Sequence, residues 1–434
     1  MKRIFTEELS KHIGKEVKLS GWIHNLRKIG AIAFMAIRDG KGIAQVVVED
    51  KKLLNILETL KEESVVSVYG KVSKEERAPL GAELRVKKIE VLSKVTEDLP
   101  VVINKKEMHA NIDTLLDNRT ITLRNPKQSA IFRVQGEILK AFRCFFEENG
   151  FTEINTPKIV SAGAETGGAE MFSTKYFKKG NAYLAQSPQL YKQIMIGVFE
   201  RVFETAYVFR AEPHATTRHL NEYMSLDMEM GFIDSRMDII NLHQELNKYM
   251  IAWLNKNSKE DFEFLEAKIP KFVKAPVMKL SEAQKILEKN YKIKCLGAPD
   301  LDPKQEKAIC DYTAKKYGSE FVFITHYPAK KRPFYTKRDP KNPAETLSFD
   351  LLFRGLEVTT GGQREEDYEK VLGQMKEKRI DPKGFGEYLD IFKYGMPPHG
   401  GFAFGLERLT MRFLELDNVK EASLFPRDMN RLKP

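Results

Sequence analysis

The sequence predicts an α+β protein in two parts, a small N-terminal β-barrel followed by a larger mixed domain. Three observations carry this reading. In the first hundred residues, three runs that alternate apolar and polar residues precede a helix-periodic stretch, and two more alternating runs follow it. Further on, helices and β runs mix without the regular alternation of a doubly wound sheet, and no 20–50-residue repeat is present. Finally, 434 residues at about 150 per domain give room for two or three domains.

The elements follow in order. KEVKLSGWIHNLRKIG, AIAFMAIRD and GIAQVVVED read as strands, with DGKG supplying the hairpin turn between the last two. KKLLNILETLKE (51–62) has apolar residues at helical spacing, and SVVSVYGKVSK and AELRVKKIEVLSK return to alternation. Three strands, a helix and two strands is the order of an OB-fold, a Greek-key barrel that often binds oligonucleotides, here over residues 1–100. Residues 101–129 lose periodicity and hold turn formers, as a linker does. AIFRVQGEILKAFRCFFEENG then opens a large domain over 130–434 with a helix that Gly150 would cap. Within it, 258–345 is rich in Lys and Pro and reads as a possible insertion.

Composition excludes several classes. With 42% hydrophobic and 30% charged residues the chain is an ordinary globular one, and disorder throughout is excluded. No run reaches the roughly 18 apolar residues of a membrane span. MKRIFTEELSKHIGKE lacks the apolar stretch of a signal peptide, so a cytoplasmic location is expected. Cys144, Cys295 and Cys310 form no CxxC pair, which speaks against a disulfide framework or thiolate zinc site. A net charge of +10 suits a nucleic-acid partner without naming one.

Three segments carry chemistry. In VFRAEPHATTRHLNEYMSLDMEM (208–230), Arg210 and Glu212 would share one strand face, and a loop with His214, Arg218 and His219 follows. Guanidiniums so placed suit a polyphosphate, although a structural Arg–Glu pair fits the same residues. In LEVTTGGQREED (356–367), Glu357 and Thr360 offer oxygen ligands for magnesium, and Arg364 follows. In YGMPPHGGFAFGLERLTM (394–411), a glycine-rich strand leads into a helix whose first turn holds Arg408. No GxxxxGK[ST] loop occurs, which removes the common nucleotide folds. His214, His219 and His399 are not spaced as a metal site.

The segments FTEINTPKIV (151–160), FRAE (209–212) and GFAFGLERL (401–409) resemble motifs 1, 2 and 3 of class II aminoacyl-tRNA synthetases. With the preceding OB-fold, LAQSPQLYKQIMI (184–196) and TTGGQRE (359–365), the chain is similar over nearly its whole length to aspartyl-tRNA synthetases of archaeal and eukaryotic type. The resemblance implies an antiparallel sheet flanked by helices and a homodimer built on motif 1, with Pro157 at the interface. ATP would lie on the sheet. Arg210, Glu212 and Arg408 would be the catalytic group, Arg210 at the α-phosphate, Arg218 at the γ-phosphate and Arg408 at the distal phosphates and adenine. Ala211, His219, Leu220, Gly405, Leu406 and Glu407 complete the implied ATP site, with His219 or Tyr223 on the adenine. Glu357 and Thr360 would hold Mg²⁺ and Glu357 would also face ATP.

For L-aspartate, the resemblance implies Gln189 and Asp227 on the ammonium and Lys192 and Arg364 on the side-chain carboxylate. Leu190, Tyr191, Arg210 and Thr360 complete that set, and Glu165 would close over the ligand. The loop AGAETGGAEMF carries one residue more than the family's form, so Glu170 is the alternative closing carboxylate. On the barrel, Phe34 would stack on an anticodon base and Gln45 read the central uracil, with Arg27 and Arg38 as further contacts. His24 and Pro79 stand where tRNA(Asp)-restricted members carry Trp and Lys. That pair implies an enzyme charging both tRNA(Asp) and tRNA(Asn); no membrane partner is expected. A tRNA(Asp)-restricted enzyme, an asparaginyl or lysyl enzyme or an amino-acid ligase derived from the fold, and a non-catalytic RNA-binding paralogue are the competing readings.

Overall fold

A computed structural model describes residues 2–161 and 171–434. The chain forms two compact units, residues 1–128 and 129–434.

In the first unit β1 (Glu16–Ile29), β2 (Ile32–Arg38), β3 (Ile43–Val48), β4 (Val65–Lys74) and β5 (Ala82–Ser93) close into a barrel of order β1-β2-β3-β5-β4. The OB-type barrel expected from the order of alternating runs is present. Leu19, Ile23, Met35, Ile37, Val46, Val66, Val68 and Leu84 fill its interior from the inward positions. β1 pairs with both β2 and β4, and its bulge at His24 bends it between them. Gly70 sits where β4 crosses β5 so closely that a Cβ would lie 2.0 Å from the Arg85 carbonyl oxygen. α1 (Lys51–Leu57) starts on an Asp50 cap that accepts from the Lys52 and Leu53 amides. It is shorter than the expected 51–62, because the chain turns at Glu63 (φ 66°), whose carboxylate is bound to Arg38.

Residues 101–128 belong to this first unit. They hold α2 (Ile112–Asp117) and α3 (Arg119–Thr122), and the Asn125 amide donates to the carbonyls of Ile103 and Lys105. Arg124 reaches Glu63 at 3.1 Å. The stretch read as a linker is thus tied down by polar contacts that have no periodic signature.

The second unit opens with α4 (Pro126–Glu148) and β6 (Thr152–Glu153), followed by a small sheet of β7 (Ile159–Val160), β8 (Ser173–Lys175) and β9 (Asn181–Leu184). Then come α5 (Gln189–Phe199), β10 (Arg201–Phe209), β11 (Glu222–Gly231), α6 (Arg236–Asn257), α7 (Lys259–Phe264), β12 (Val277–Lys279), α8 (Leu280–Tyr291), α9 (Pro303–Tyr317) and β13 (Phe321–Thr325). β14 (Arg338–Asp339), β15 (Asn342–Thr346), β16 (Ser348–Phe353), β17 (Leu356–Gln363), α10 (Tyr368–Glu377), α11 (Gly386–Lys393), β18 (His399–Gly405) and α12 (Leu406–Phe413) complete it.

Eight of these strands form one sheet, β12-β13-β16-β17-β18-β11-β10-β6. Its interior pairings are antiparallel, and only the two edge pairings are parallel. Residues 258–345 are therefore not set apart as an insertion: they supply β12 and β13 to one edge, with α8 and α9 packed there through Leu287, Ile309, Val322 and Ile324.

The period of two divides this sheet into a packed face and a chemical face. On β11, Leu226, Met228 and Met230 join the core, where Ile138, Phe142 and Phe146 of α4 and Leu246, Met250 and Leu254 of α6 cover them. Ser225, Asp227 and Glu229 alternate with them onto the opposite face. On β18, Phe402 and Phe404 go to the core, while Gly401, Ala403 and Gly405 leave the other face bare.

Candidate active site

One cleft on the chemical face is lined by Arg210, Glu212, Arg218, His219, Leu220, Tyr223, Glu357, Thr360, Gly405, Glu407 and Arg408. Ala211 and Leu406 do not line it; Leu406 is turned into the core, as its place in the first turn of amphipathic α12 requires. β10 stops at Phe209, so Arg210 and Glu212 do not share a strand face. The chain leaves the sheet there, with the Arg210 amide donating to Asn221 O and the Glu212 amide to Arg210 O. The Arg210 guanidinium lies 5.8 Å from the centre of the Tyr223 ring.

The loop between β10 and β11 is anchored from three sides. Arg408 Nε donates to Arg218 O (3.0 Å), the Val419 amide donates to Thr217 O, and Arg218 Nη2 donates to Glu306 Oε2 (2.7 Å). Glu407 accepts from the Met224 amide with both oxygens at 3.2 Å, and burial pushes its carboxyl up to about 7.

Glu357 and Thr360 are three residues apart yet adjoin, because a bulge opposite Leu351 and Leu352 shifts the register of β17. Thr360 Oγ1 donates to Glu357 Oε1 at 2.9 Å. Behind them Asp350, paired across the sheet with Thr360, accepts from Arg332, whose guanidinium lies 3.8 Å from the Tyr327 ring centre. Burial pushes the Asp350 carboxyl up to about 6 against the pull of Arg332. Carboxylates and a hydroxyl form the donor set that a hard cation such as Mg²⁺ takes.

The second half of the site is a buried ion cluster. Lys192 is 1% exposed; its Nζ donates to Asp227 Oδ1 (2.9 Å) and lies 3.3 Å from Glu229 Oε2. Arg364 Nε donates to Glu229 Oε1 (2.8 Å), and Nη2 donates to Gln189 Oε1 and Gly401 O, both at 3.2 Å. Ser225 Oγ donates to Asp227 Oδ2. Burial alone would raise the Glu229 carboxyl; Arg364 and Lys192 more than offset it and hold it below the ordinary range. Two cations thus face two carboxylates.

Helical spacing sorts the α5 residues. Gln189, Lys192 and Gln193 are buried on one face. Leu190 and Tyr191 instead line an adjoining cavity with Phe385 and Tyr388, so they are not part of the ion cluster. Gln193 donates to His399 Nε2 (2.8 Å) and His399 Nδ1 to Pro397 O (2.9 Å), a fully buried neutral imidazole pushed down to about 4 by burial. Glu165 and its alternative Glu170 lie outside the described residues. Sequence reasoning missed Glu229, Asp350 and Glu306. For Glu229 a signal existed: SLDMEM places it two residues from Asp227, on the same strand face.

Among the described residues, one trio outside the cleft, His326, Asp339 and Glu345, has the spacing to face an ion. Arg236 (3.0 Å from His326 Nε2) and Lys279 (3.8 Å from Glu345) already place cations there.

On the barrel, Phe34 and Gln45 lie on the outward positions of β2 and β3, half-buried. Gln45 Nε2 donates to Glu83 Oε2 at 3.0 Å. Arg27 pairs with Phe34 across β1 and β2. Arg38 is engaged by both oxygens of Glu63 (2.8 and 2.7 Å) and stacks on Trp22, so it is a structural residue rather than an exposed contact. His24 is buried at the bulge, lines a groove with Lys61 and Glu63, and leaves Nδ1 without a partner; Pro79 is exposed in the β4–β5 turn.

Residues 111–429 match the family of class II tRNA synthetases for D, K and N, and residues 17–92 match the OB-fold nucleic acid binding domain. The chain belongs to the class II tRNA synthetase (D, K and N) family. It is 47% identical to the aspartate–tRNA(Asp/Asn) ligase of Thermus thermophilus, with all of both chains covered. It is 42% identical to the aspartate–tRNA(Asp) ligase of Pyrococcus horikoshii, over 99% of this chain and 98% of that one. Among solved structures, asparaginyl-tRNA synthetase from Pyrococcus horikoshii with asparaginyl-adenylate superposes with a TM-score of 0.93 at 34% identity, covering both chains fully. The OB barrel and helix-flanked sheet of this synthetase are thus those of its class.

Proposed function

We propose that the chain is an aspartate–tRNA ligase that forms aspartyl-adenylate from ATP and L-aspartate and charges both tRNA(Asp) and tRNA(Asn). The ion cluster beside the ATP cleft carries this reading. Its two cations and two carboxylates are balanced before substrate arrives. L-Aspartate adds an ammonium beside Asp227 and Gln189 and a carboxylate beside Lys192 and Arg364, and the balance is kept. Asparagine brings the same ammonium and α-carboxylate but an uncharged side chain, so beside Lys192 and Arg364 the ammonium goes unmatched in a desolvated pocket, which is costly.

Arg210 lines the cleft with Ser225, whose hydroxyl is bonded to Asp227 of the cluster, and would face the α-phosphate. The α-carboxylate of aspartate attacks the α-phosphorus, a P–O bond forms, and the bond to pyrophosphate breaks. Arg210, Arg218 and Arg408 face the charge that accumulates on the phosphoryl oxygens, so positioning and fixed electrostatics supply the rate. Glu357 and Thr360, with Asp350 behind them, would hold Mg²⁺, which neutralises phosphate charge when bound. The terminal ribose hydroxyl of tRNA then attacks the aspartyl carbonyl and releases AMP.

Phe34 offers a ring for one anticodon base, worth about 1–3 kcal/mol, and Gln45 an acceptor for a uracil N–H. His24 and Pro79 in place of Trp and Lys support relaxed tRNA choice. A homodimer through Pro157 and the motif 1 segment, in the cytoplasm, completes the proposal. Pyrophosphate exchange with aspartate and asparagine, then aspartylation of purified tRNA(Asp) and tRNA(Asn), tests it. Aspartate-only exchange with charging of both tRNAs is expected. Exchange driven by asparagine would overturn the amino-acid assignment, and charging of tRNA(Asp) alone would overturn the relaxed reading.

A further inference from the structure

The stretch 258–345 had no role on sequence grounds, yet it sets one buried carboxylate against Arg218, a residue of the cleft wall. α9 is seated directly on the turn between β16 and β17: a Cβ on Gly355 would lie 3.2 Å from the Lys307 Cα. The preceding residue, Glu306, is 6% exposed and accepts from Arg218 Nη2 at 2.7 Å. The Glu357 backbone faces the same carboxylate as a second hydrogen-bond partner. Glu306 therefore joins the arginine of the β10–β11 loop to the start of the strand that carries the proposed magnesium ligands. These two elements meet in the cleft, and α9 is outside the motifs that define it.

We propose that Glu306 is a positioning residue for the triphosphate end of the ATP site, acting through Arg218. A guanidinium on a loop samples many rotamers, and fixing one on binding costs affinity. Glu306 engages only Nη2, so Nε and Nη1 remain to face a phosphate. Together with the Arg408 bond to Arg218 O, the contact fixes both ends of this residue before ATP arrives. The preorganised geometry favours binding of the distal phosphates, and aspartate, held by Lys192 and Arg364, does not depend on it.

The inference rests on the proposed ATP chemistry, so the test reads MgATP binding directly as well as exchange. Binding of MgATP without amino acid is measured by calorimetry for wild type, E306A, R218A and E306A/R218A, alongside KM for ATP and for aspartate in exchange. The expected result is a weakening by about three- to tenfold in E306A, the equivalent of immobilising one rotamer-rich side chain. KM for aspartate stays at the wild-type value, and E306A adds nothing in the R218A background. E306Q, which keeps an acceptor for Arg218, recovers part of the loss. Wild-type or tighter MgATP binding in E306A overturns the proposal, as do additive losses in the double variant or equal losses toward aspartate. If E306A does not fold, the cycle is run with E306Q, and failure of both to fold shows a purely structural residue. Wild-type protein that binds MgATP but exchanges with asparagine overturns the amino-acid assignment and leaves this inference standing.

Discussion

Lys192 shows what single residues contribute. Its ammonium lies between Asp227 and Glu229, 1% exposed, at 2.9 and 3.3 Å. Replacing it with methionine keeps the length and removes the charge, which leaves a buried carboxylate without its partner. Breaking such a pair costs about 3–5 kcal/mol. Lys192→Met should lower the thermal midpoint of the second unit and abolish aspartate-dependent exchange; scanning calorimetry and the exchange assay check both. A variant that melts like wild type and binds aspartate normally would remove Lys192 from the clamp. At this scale, the residues inside recurring motifs were legible: Arg210, Lys192, Arg364 and Arg408 have neighbours at fixed offsets that give them away. Asp227 was legible with them, and its strand-face neighbour Glu229 could have been, but the long-range pairings were not. Glu229 lies 135 residues from Arg364, and Glu306 lies 88 from Arg218. The spacing of Glu229 from Asp227 marks its strand face but not its guanidinium partner, and Glu306, alone on a helix, has no local pattern that announces a distant one.

Strands and helices place these groups, and close packing of β18 on β11 is a tight constraint on the ion cluster. A Cβ on Gly401 would lie 2.1 Å from Met228 O and 2.4 Å from Glu229 Oε2. The nearest atom is backbone of the neighbouring strand, so side-chain rearrangement alone gives no relief. Gly401→Ala should push β18 away from β11, displace Glu229 from Arg364, and raise KM for aspartate strongly while lowering the thermal midpoint. Wild-type KM in a folded Gly401→Ala protein would show that the cluster tolerates a wider strand spacing. Alternation made the barrel strands legible and placed the glycine-rich β18 before its helix. It failed where the structure depends on long-range pairing. β12 and β13 join in parallel at an edge, and their flanking lysine-rich helices look like an appendage in sequence. The end of β10 at Phe209 was missed for a related reason: FRAE continues the alternation, but Arg210 turns to pair its amide with Asn221.

For the whole molecule, buried ionisable groups of the second unit set opposing pH dependences. Burial pushes His243 down to about 3 and His399 down to about 4, from an ordinary 6.5. A histidine kept neutral in the fold contributes stability that is present above 6.5 and is lost as pH falls toward the folded value, because the unfolded chain takes up the proton first. Burial pushes Glu306 and Glu407 the other way, up to about 7 from 4.5. Each contributes stability that is fully present below 4.5 and is lost as pH rises through 7. Between 4.5 and 6.5 the two pairs work against each other, so these four groups give a nearly level stability there. Below 4.5 the histidine loss dominates, and from 6.5 to 7 the carboxylate loss does. His243 is the cleanest group to remove: it is fully buried against Phe402 and Phe404, and its one bonded nitrogen meets Thr359 at 3.2 Å. His243→Gln should melt below wild type at pH 7 through lost packing, and that gap should narrow steadily as pH is lowered from 6.5 to 4.5. Calorimetry of the second unit's transition at intervals across that range measures it. A gap that stays constant would mean that His243 takes up its proton in the folded protein as readily as in the unfolded chain.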